Sequence, residues 1–585
     1  SVILYPGAML TLNTSAPVSV STLTMYSGSL LNHSANGTTR SYLINLRVAN
    51  TFNLNAGASI SMNGMGYAVG QGPGKGTGQQ AGGYGGAGGA GGGAAYGSLW
   101  DPADLGSGGG AFAGGGAAII KVGGSFNLNG IISANGGGVC SNSGGGSGGT
   151  VNIAANELNG SGIVRANGGE ALFGGCGAGG GGGGGRIAIS AAEDNSSLTL
   201  SANSAPTYDM PAGGGGTVAV DRNGARALIL SNTASGYDTV LSSAIVGAGE
   251  LRISTFTMSG GASADIGVPL VVESSMTVAG SSVLRLGNPV AIKGSLHLAD
   301  SAALQQCSTM VLTVDGNLTL TGSSKITHKA NTASKQYIVN LKVTGDMDIS
   351  VGAGIDADVL GYSGGAIGAA GSGAGGGLGA GVSDYAGGGG GGYGGLGGTA
   401  SSGTLGGISY GLISAPDELG SGGGGANGVT GGSGGGEIAL DVTGILTVNG
   451  KIWAKGSPGS NGSYGGGGGS GGTIKISAAS VNGSGNIMDG GGAGGFGLVA
   501  SGGGGAGGRV SGAQLFGGVK SVAGGNAGGT GAQSGQNGTW FDPASTAPVA
   551  ALQVFSDVYT SSFTLNLAGD SLAQYWVEIS ENFNF

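Results

Sequence analysis

GGGSGGTVNIAANELNGSGIVRANGGEALFGGCGAGGGGGGGRIAIS, at Gly144–Ser190, decides how the chain is read. Val151 and Ile153, then Ile187 and Ile189, alternate with small or polar residues. That is the period of a half-buried strand. Asn-Gly turns and long glycine runs separate the strands. A second version follows: Gly148–Gly169 and Gly471–Gly492 agree at 11 of 22 positions.

Outward from this unit the duplication spreads over most of the chain, and finding it precedes any statement of fold. Ala16–Tyr67 aligns without a gap onto Val311–Tyr362, so "YLINLRV" at Tyr42–Val48 falls on "YIVNLKV" at Tyr337–Val343. The register slips in glycine-rich inserts, Gly64–Gly97 and Gly361–Gly407, and recovers at "PADLGSGGG" (Pro102–Gly110) and "PDELGSGGG" (Pro416–Gly424). Within each copy a finer repeat of roughly 15–30 residues places short strands between turns; strands that short bury a face only by stacking on neighbours. Capped 3.6-residue periodicity is almost absent. The expected fold is all-β, a parallel β-helix (β-solenoid) in two long copies, with an antiparallel sandwich as its rival. The division is 1–235 for the first copy, 236–544 for plain strands and the second copy, and 545–585 for a distinct tail.

Glycine supplies 145 of 585 residues and proline 12, a composition that warns of disorder. Against it stand the matched positions of the glycine runs in the two copies. Runs such as "GGYGGAGGAGGG" (Gly82–Gly93) and "GGGGGGYGGLGG" (Gly387–Gly398) suit polyproline II geometry. Packed side by side, they can exchange backbone hydrogen bonds, since no side chain intervenes. An ordered glycine lattice is the expectation; flexible surface loops are the alternative.

Only 8% of residues are charged and the net charge is −9, which leaves no basic patch for nucleic acid. No apolar run reaches the roughly 18 residues of a membrane-spanning helix. The sequence opens at Ser1 without a secretory leader pattern, as expected of a processed product or of a piece of a longer chain. Cys140 and Cys176 occupy successive glycine loops of the first copy and are both missing from the second. Joint absence fits a disulfide in an oxidising compartment, while two unrelated buried thiols fit as well. Cys307 is left over.

From Ser545 glycine nearly vanishes, and "ALQVFSDVYTSSFTLNL" (Ala551–Leu567) and "YWVEIS" (Tyr575–Ser580) read as sandwich strands. This tail resembles the opening of a fibronectin type III-like domain, without that domain's usual core tryptophan. The pattern "GGSGG-T-V-x-I … L-x-G-x-G-x-I-x-A-N-G-G … GGGGGGG-R-I-A-I" resembles the glycine-rich β-solenoid repeats of very large secreted or surface-attached bacterial proteins. The resemblance implies a surface fibre, stalk or adhesin, with no cofactor and no catalytic residue to carry over.

Few constellations suggest chemistry. Asp346, Asp348, Asp356 and Asp358 alternate along "GDMDISVGAGIDADVLGY", which puts each pair on one strand face. Stacked carboxylates suit calcium or, on a β-helix face, glycan cleavage. Their counterparts in the first copy, Thr51, Asn53, Ser61 and Asn63, include no acid, so a solvated strand face is the plainer expectation. His33 and His328 occupy matching positions, each with Asn three residues on, and read as hydrogen-bonded turn residues; His297 reads as an outward strand residue. Tyr84, Tyr96, Trp100 and Tyr393 are the aromatic candidates for a glycan surface. The functional expectation is a non-enzymatic extracellular or cell-surface protein that self-associates into a filament, tube or stalk. A glycan-recognising adhesin comes second, and a polysaccharide-active enzyme third.

Overall fold

A computed structural model describes residues 1–138, 142–169, 179–207, 210–233, 236–247, 249–382, 384–512 and 516–541, and, as backbone strands, 551–556 and 563–568. Strands dominate; the single helix among the described residues is the four-residue Ser243–Val246. Sequence alternation becomes alternating burial. In Phe52–Leu54 both apolar residues are buried and Asn53 between them is half-buried. Phe52 pairs in register with Phe126, and their rings stack at 4.5 Å and 4°. Such in-register side-chain pairs stabilise a sheet by about 0.2–1 kcal/mol each.

Nearly all pairing is parallel, in sheets of 22, nine and six strands. The expected parallel β-helix is not what these strands build: at the core, eight parallel strands close into a barrel, with other sheets around it. The closure can be followed strand by strand. Leu270–Val278 pairs with both Val290–Ile292 and Ser295–Leu298. One arm continues through Leu312–Val314 to Val339–Val343, the other through Leu318–Leu320 to Met347–Ile349. Both arms meet on Glu437–Val448. The physical reason is strand length. Leu270–Val278 and Glu437–Val448, at nine and 12 residues, are long enough to belong to two ladders at once, and so join them. Equal short strands, the basis of the β-helix expectation, would leave the ladders separate.

One reversal interrupts the parallel order. Thr217–Arg222 pairs antiparallel with Ala225–Asn232. Asn223 and Gly224, at φ 50° and 85°, make the turn. Two consecutive positive φ values are what a two-residue type I′ hairpin demands, and Asn-Gly supplies them at least cost. Near this hairpin the core divides. Buried side chains from Leu4 to Val220 form one cluster, and those from Ala219 to Phe516, with Leu99, form the other. In the tail, Ala551–Ser556 and Phe563–Ala568 form an antiparallel pair.

Candidate functional site

The glycine runs lie on the two cores as hydrogen-bonded lattices. In the first, Gly82 N–H donates to Gly145 O, Gly145 N–H to Gly180 O, and Gly183 N–H back to Gly82 O, at 2.9–3.0 Å. Three runs thus bond in a closed cycle. The second lattice repeats it: Gly391 to Gly468, Gly468 to Gly503, and Gly503 to Gly388, at 2.8–3.0 Å. These glycines are buried, and buried amides must find partners. Absent side chains allow the approach. A Cβ on Gly144 would overlap the Gln80 carbonyl, and one on the matching Gly467 would overlap the Gly389 carbonyl.

Each lattice is pinned to its sheet by one buried arginine. Arg186 begins the strand Arg186–Asp194 and is wholly buried. Its Nε donates to Tyr96 O at 2.9 Å, its Nη1 to Thr217 Oγ1 at 3.1 Å and its Nη2 to Tyr84 O at 3.4 Å. The guanidinium lies 5.5 Å from the Tyr84 ring centroid. Tyr84 and Thr150 hydroxyls meet at 2.6 Å, and Thr150 donates to Asp104 O at 2.6 Å. Burial pushes the Tyr84 phenol up to about 12, against the pull of Arg186.

The second copy repeats the clasp contact for contact. Arg509 donates through Nε to Tyr410 O at 2.9 Å, through Nη1 to Thr539 Oγ1 at 3.0 Å and through Nη2 to Tyr393 O at 3.3 Å. Tyr393 meets Thr473 at 2.6 Å, and Thr473 donates to Glu418 O at 2.6 Å. Burial raises both Tyr393 and Tyr410. So Tyr84 and Tyr393, expected as exposed glycan contacts, are fully buried supports of the lattice, and Tyr96 and Trp100 are half-buried. Sequence reasoning missed both arginines. The available signal was an arginine held at matching positions after a glycine run in a chain that is 8% charged.

The other candidates are placed as follows. His33 and His328 are buried. His33 Nδ1 bonds Ser34 O at 2.7 Å, and its Nε2 accepts from Ala117 N–H at 3.2 Å. His328 Nδ1 bonds Lys329 O at 2.8 Å, and its Nε2 has no hydrogen-bond partner. Burial pulls His328 down to about 4 and lowers His33 too. Asn36 and Asn331 each clamp a loop through both ends of the amide; Asn36 accepts from Ser41 and Tyr42 N–H and donates to Tyr42 and Met65 O.

The four aspartates are not brought together as one acidic site. Asp346 accepts from Ile445 N–H at 2.8 Å, and Asp348 from Ser350 at 3.3 Å. Asp356 pairs with Lys451 at 3.6 Å and Asp358 with Lys455 at 3.3 Å. Among the described residues no group of three or more His, Cys, Asp or Glu side chains is placed to hold a metal. Cys140 and Cys176 lie outside the described residues; Cys307 is a half-buried free thiol.

The outer face of the second lattice is apolar. Tyr385 is 80% exposed and Leu498 79%. The Tyr385 ring meets Tyr464 edge-on at 6.2 Å, and the Tyr464 strand pairs with Gly497–Ala500. Backbone bonds tie in the neighbouring loop: Ser401 N–H to Ser501 O at 3.0 Å, and Leu378 N–H to Leu405 O at 3.2 Å. No helix among the described residues is long and apolar enough to cross a membrane. Compared with known proteins, the chain matches no family model, no curated protein and no solved structure.

Proposed function

We propose that this chain is a non-enzymatic structural protein of the extracellular or cell-surface space, a subunit or segment of a filament, tube or stalk that associates with copies of itself. The apolar outer face of the second glycine lattice carries the reading. Val382, Tyr385, Leu405, Ile408, Leu498 and Val499 are each more than half exposed, and exposed apolar surface on this scale is what contacts between proteins cover. Burying it yields about 25 cal/mol per Å². The lattice beneath is bonded from run to run through its backbone, so little order is lost on contact. A low charge of 8% suits lateral packing of like copies.

Electron microscopy of the purified chain at micromolar concentration tests this. Filaments or tubes with a fixed repeat are expected, and Leu498→Lys with Tyr385→Lys should dissolve them while leaving the circular dichroism spectrum unchanged. Isolated particles at every concentration would overturn the reading.

A further inference from the structure

On the outer face of the first half lies an open groove of about 540 Å³, within the usual range for small-ligand sites. It forms where the long strands Ala117–Leu128 and Thr150–Asn159 lose register between Ala155 and Glu157. Such a slip bends a strand and hollows the sheet. Across the groove runs one line of paired residues: Ser19, Arg47, Lys121, Ala154 and Ser190, each beside the next. Adjacent strands stand about 4.8 Å apart, so Arg47 and Lys121 are neighbouring cations. Both are exposed.

Like charges placed side by side destabilise a sheet, and nothing nearby relieves this pair. Among the described residues neither forms an ion pair. The next acid in line, Asp221, is held by Arg226 at 3.1 Å. It stands three strands from Lys121, about 14 Å, beyond the screening length of about 8 Å. The second half answers the same position differently, with Lys342 directly beside Asp441. Nor is the pair drawn from a generally basic surface, since the chain has 20 Lys and Arg against 29 Asp and Glu.

We propose that this groove binds an acidic oligosaccharide, with carboxylate or sulfate groups on Arg47 and Lys121 and sugar hydroxyls on Ser19 and Ser190. A guanidinium takes an oxoanion with two parallel bonds, and the ammonium adds a point charge. Ala154 and Ala155 leave space for a sugar ring. The inference is independent of self-assembly.

Calorimetric titration of the full chain with a uronic-acid tetrasaccharide, its neutral counterpart and sodium sulfate tests the proposal. The acidic sugar is expected to bind, more weakly as salt rises, and Arg47→Gln or Lys121→Gln to weaken it about tenfold, ~1.4 kcal/mol. Lys342→Gln should change nothing. All three sites are exposed, and unchanged melting temperatures would confirm intact folding. Equal binding of the neutral sugar, sulfate binding as tight as the sugar's, no binding at all, or indifference to both substitutions would each overturn the proposal.

Discussion

Around the first lattice, within residues 64–116, Val69 is the only large apolar side chain that is exposed; the corresponding stretch of the second, 361–436, exposes Val382, Tyr385, Leu396, Leu405, Ile408 and Leu412 among others. Beneath these different skins the matching hydrogen bonds of the two clasps agree in length to about 0.1 Å. The cycle of glycine bonds, the arginine over the tyrosine ring and the tyrosine–threonine pair recur in both. The duplicated scaffold thus keeps the glycine cycle and the arginine clasp while the exposed surface around them differs. The pinning arginines belong to the constrained part, and removing them is the most damaging test. Arg186→Met strands the Tyr96 carbonyl and the Thr217 hydroxyl in a buried site, while the Tyr84 carbonyl keeps the Tyr96 N–H. Two orphaned groups at about 1–3 kcal/mol each make a cost of about 2–6 kcal/mol. Arg509→Met should cost a comparable amount, read as a drop in chemical-denaturation midpoint. If either variant unfolds like the parent, the clasps are not equivalent.

Acid should separate the halves next. His33 finds an acceptor role for Nε2 on Ala117 N–H; His328, with Glu437 where the first half has Ala117, does not. With His328 depressed to about 4, the unfolded chain binds a proton between pH 6.5 and 4 that the folded chain refuses. Stability is then complete above pH 6.5 and falls as pH drops towards 4, by about 3 kcal/mol in all. His328→Asn should flatten that limb of the stability–pH curve more than His33→Asn does.

How much of this could be read from the chain depends on whether a residue's partners are local. Phe52, Leu54, Ile60 and Met62 announce their burial by alternation, and all four are fully buried. The duplication marks His33 with His328 and Asn36 with Asn331; the structure makes the histidines the buried last residues of the strands Leu30–His33 and Lys325–His328 rather than turn residues, and the asparagines matching loop clamps. Barrel closure was not legible. It depends on which neighbours Leu270–Val278 and Glu437–Val448 share, and a parallel ladder leaves no local trace of its register. The direction of Tyr84 was not legible either, because a glycine run has no periodicity to show which way a lone side chain points. The groove at Arg47 and Lys121 pairs residues 74 positions apart in the sequence.

Crowding of the lattices gives a gentler test. Gly144→Ala and Gly467→Ala would each push a methyl group into a carbonyl of a neighbouring run, whereas Gly37 has open space around its Cβ position. Overpacking of this kind costs about 1–3 kcal/mol. The two lattice variants should melt lower than the parent and by similar amounts, with Gly37→Ala close to unchanged. Unequal losses would show that one lattice is looser than the other.

The smallest effect is expected at a place where the buried skeletons differ. Asp489 stands where the first half has Ala166, and it is completely buried. Its Oδ1 accepts from Gly472 N–H at 2.6 Å, and its Oδ2 has no partner. Burial holds the carboxyl well above the usual range, with Asp358 adding to the rise. The folded chain then keeps a proton that the unfolded chain gives up once pH passes the ordinary carboxylate range. Stability from this group is present in acid and declines as pH rises, opposite in sign to His328. Asp489→Asn preserves the shape and the acceptor but cannot ionise. It should be more stable than the parent at pH 8, where the acid must bury a charge or hold an extra proton, and gain less at pH 5. Equal gains at both pH values would mean that Asp489 holds no extra proton, and that the second half tolerates its buried acid as an ionised carboxylate.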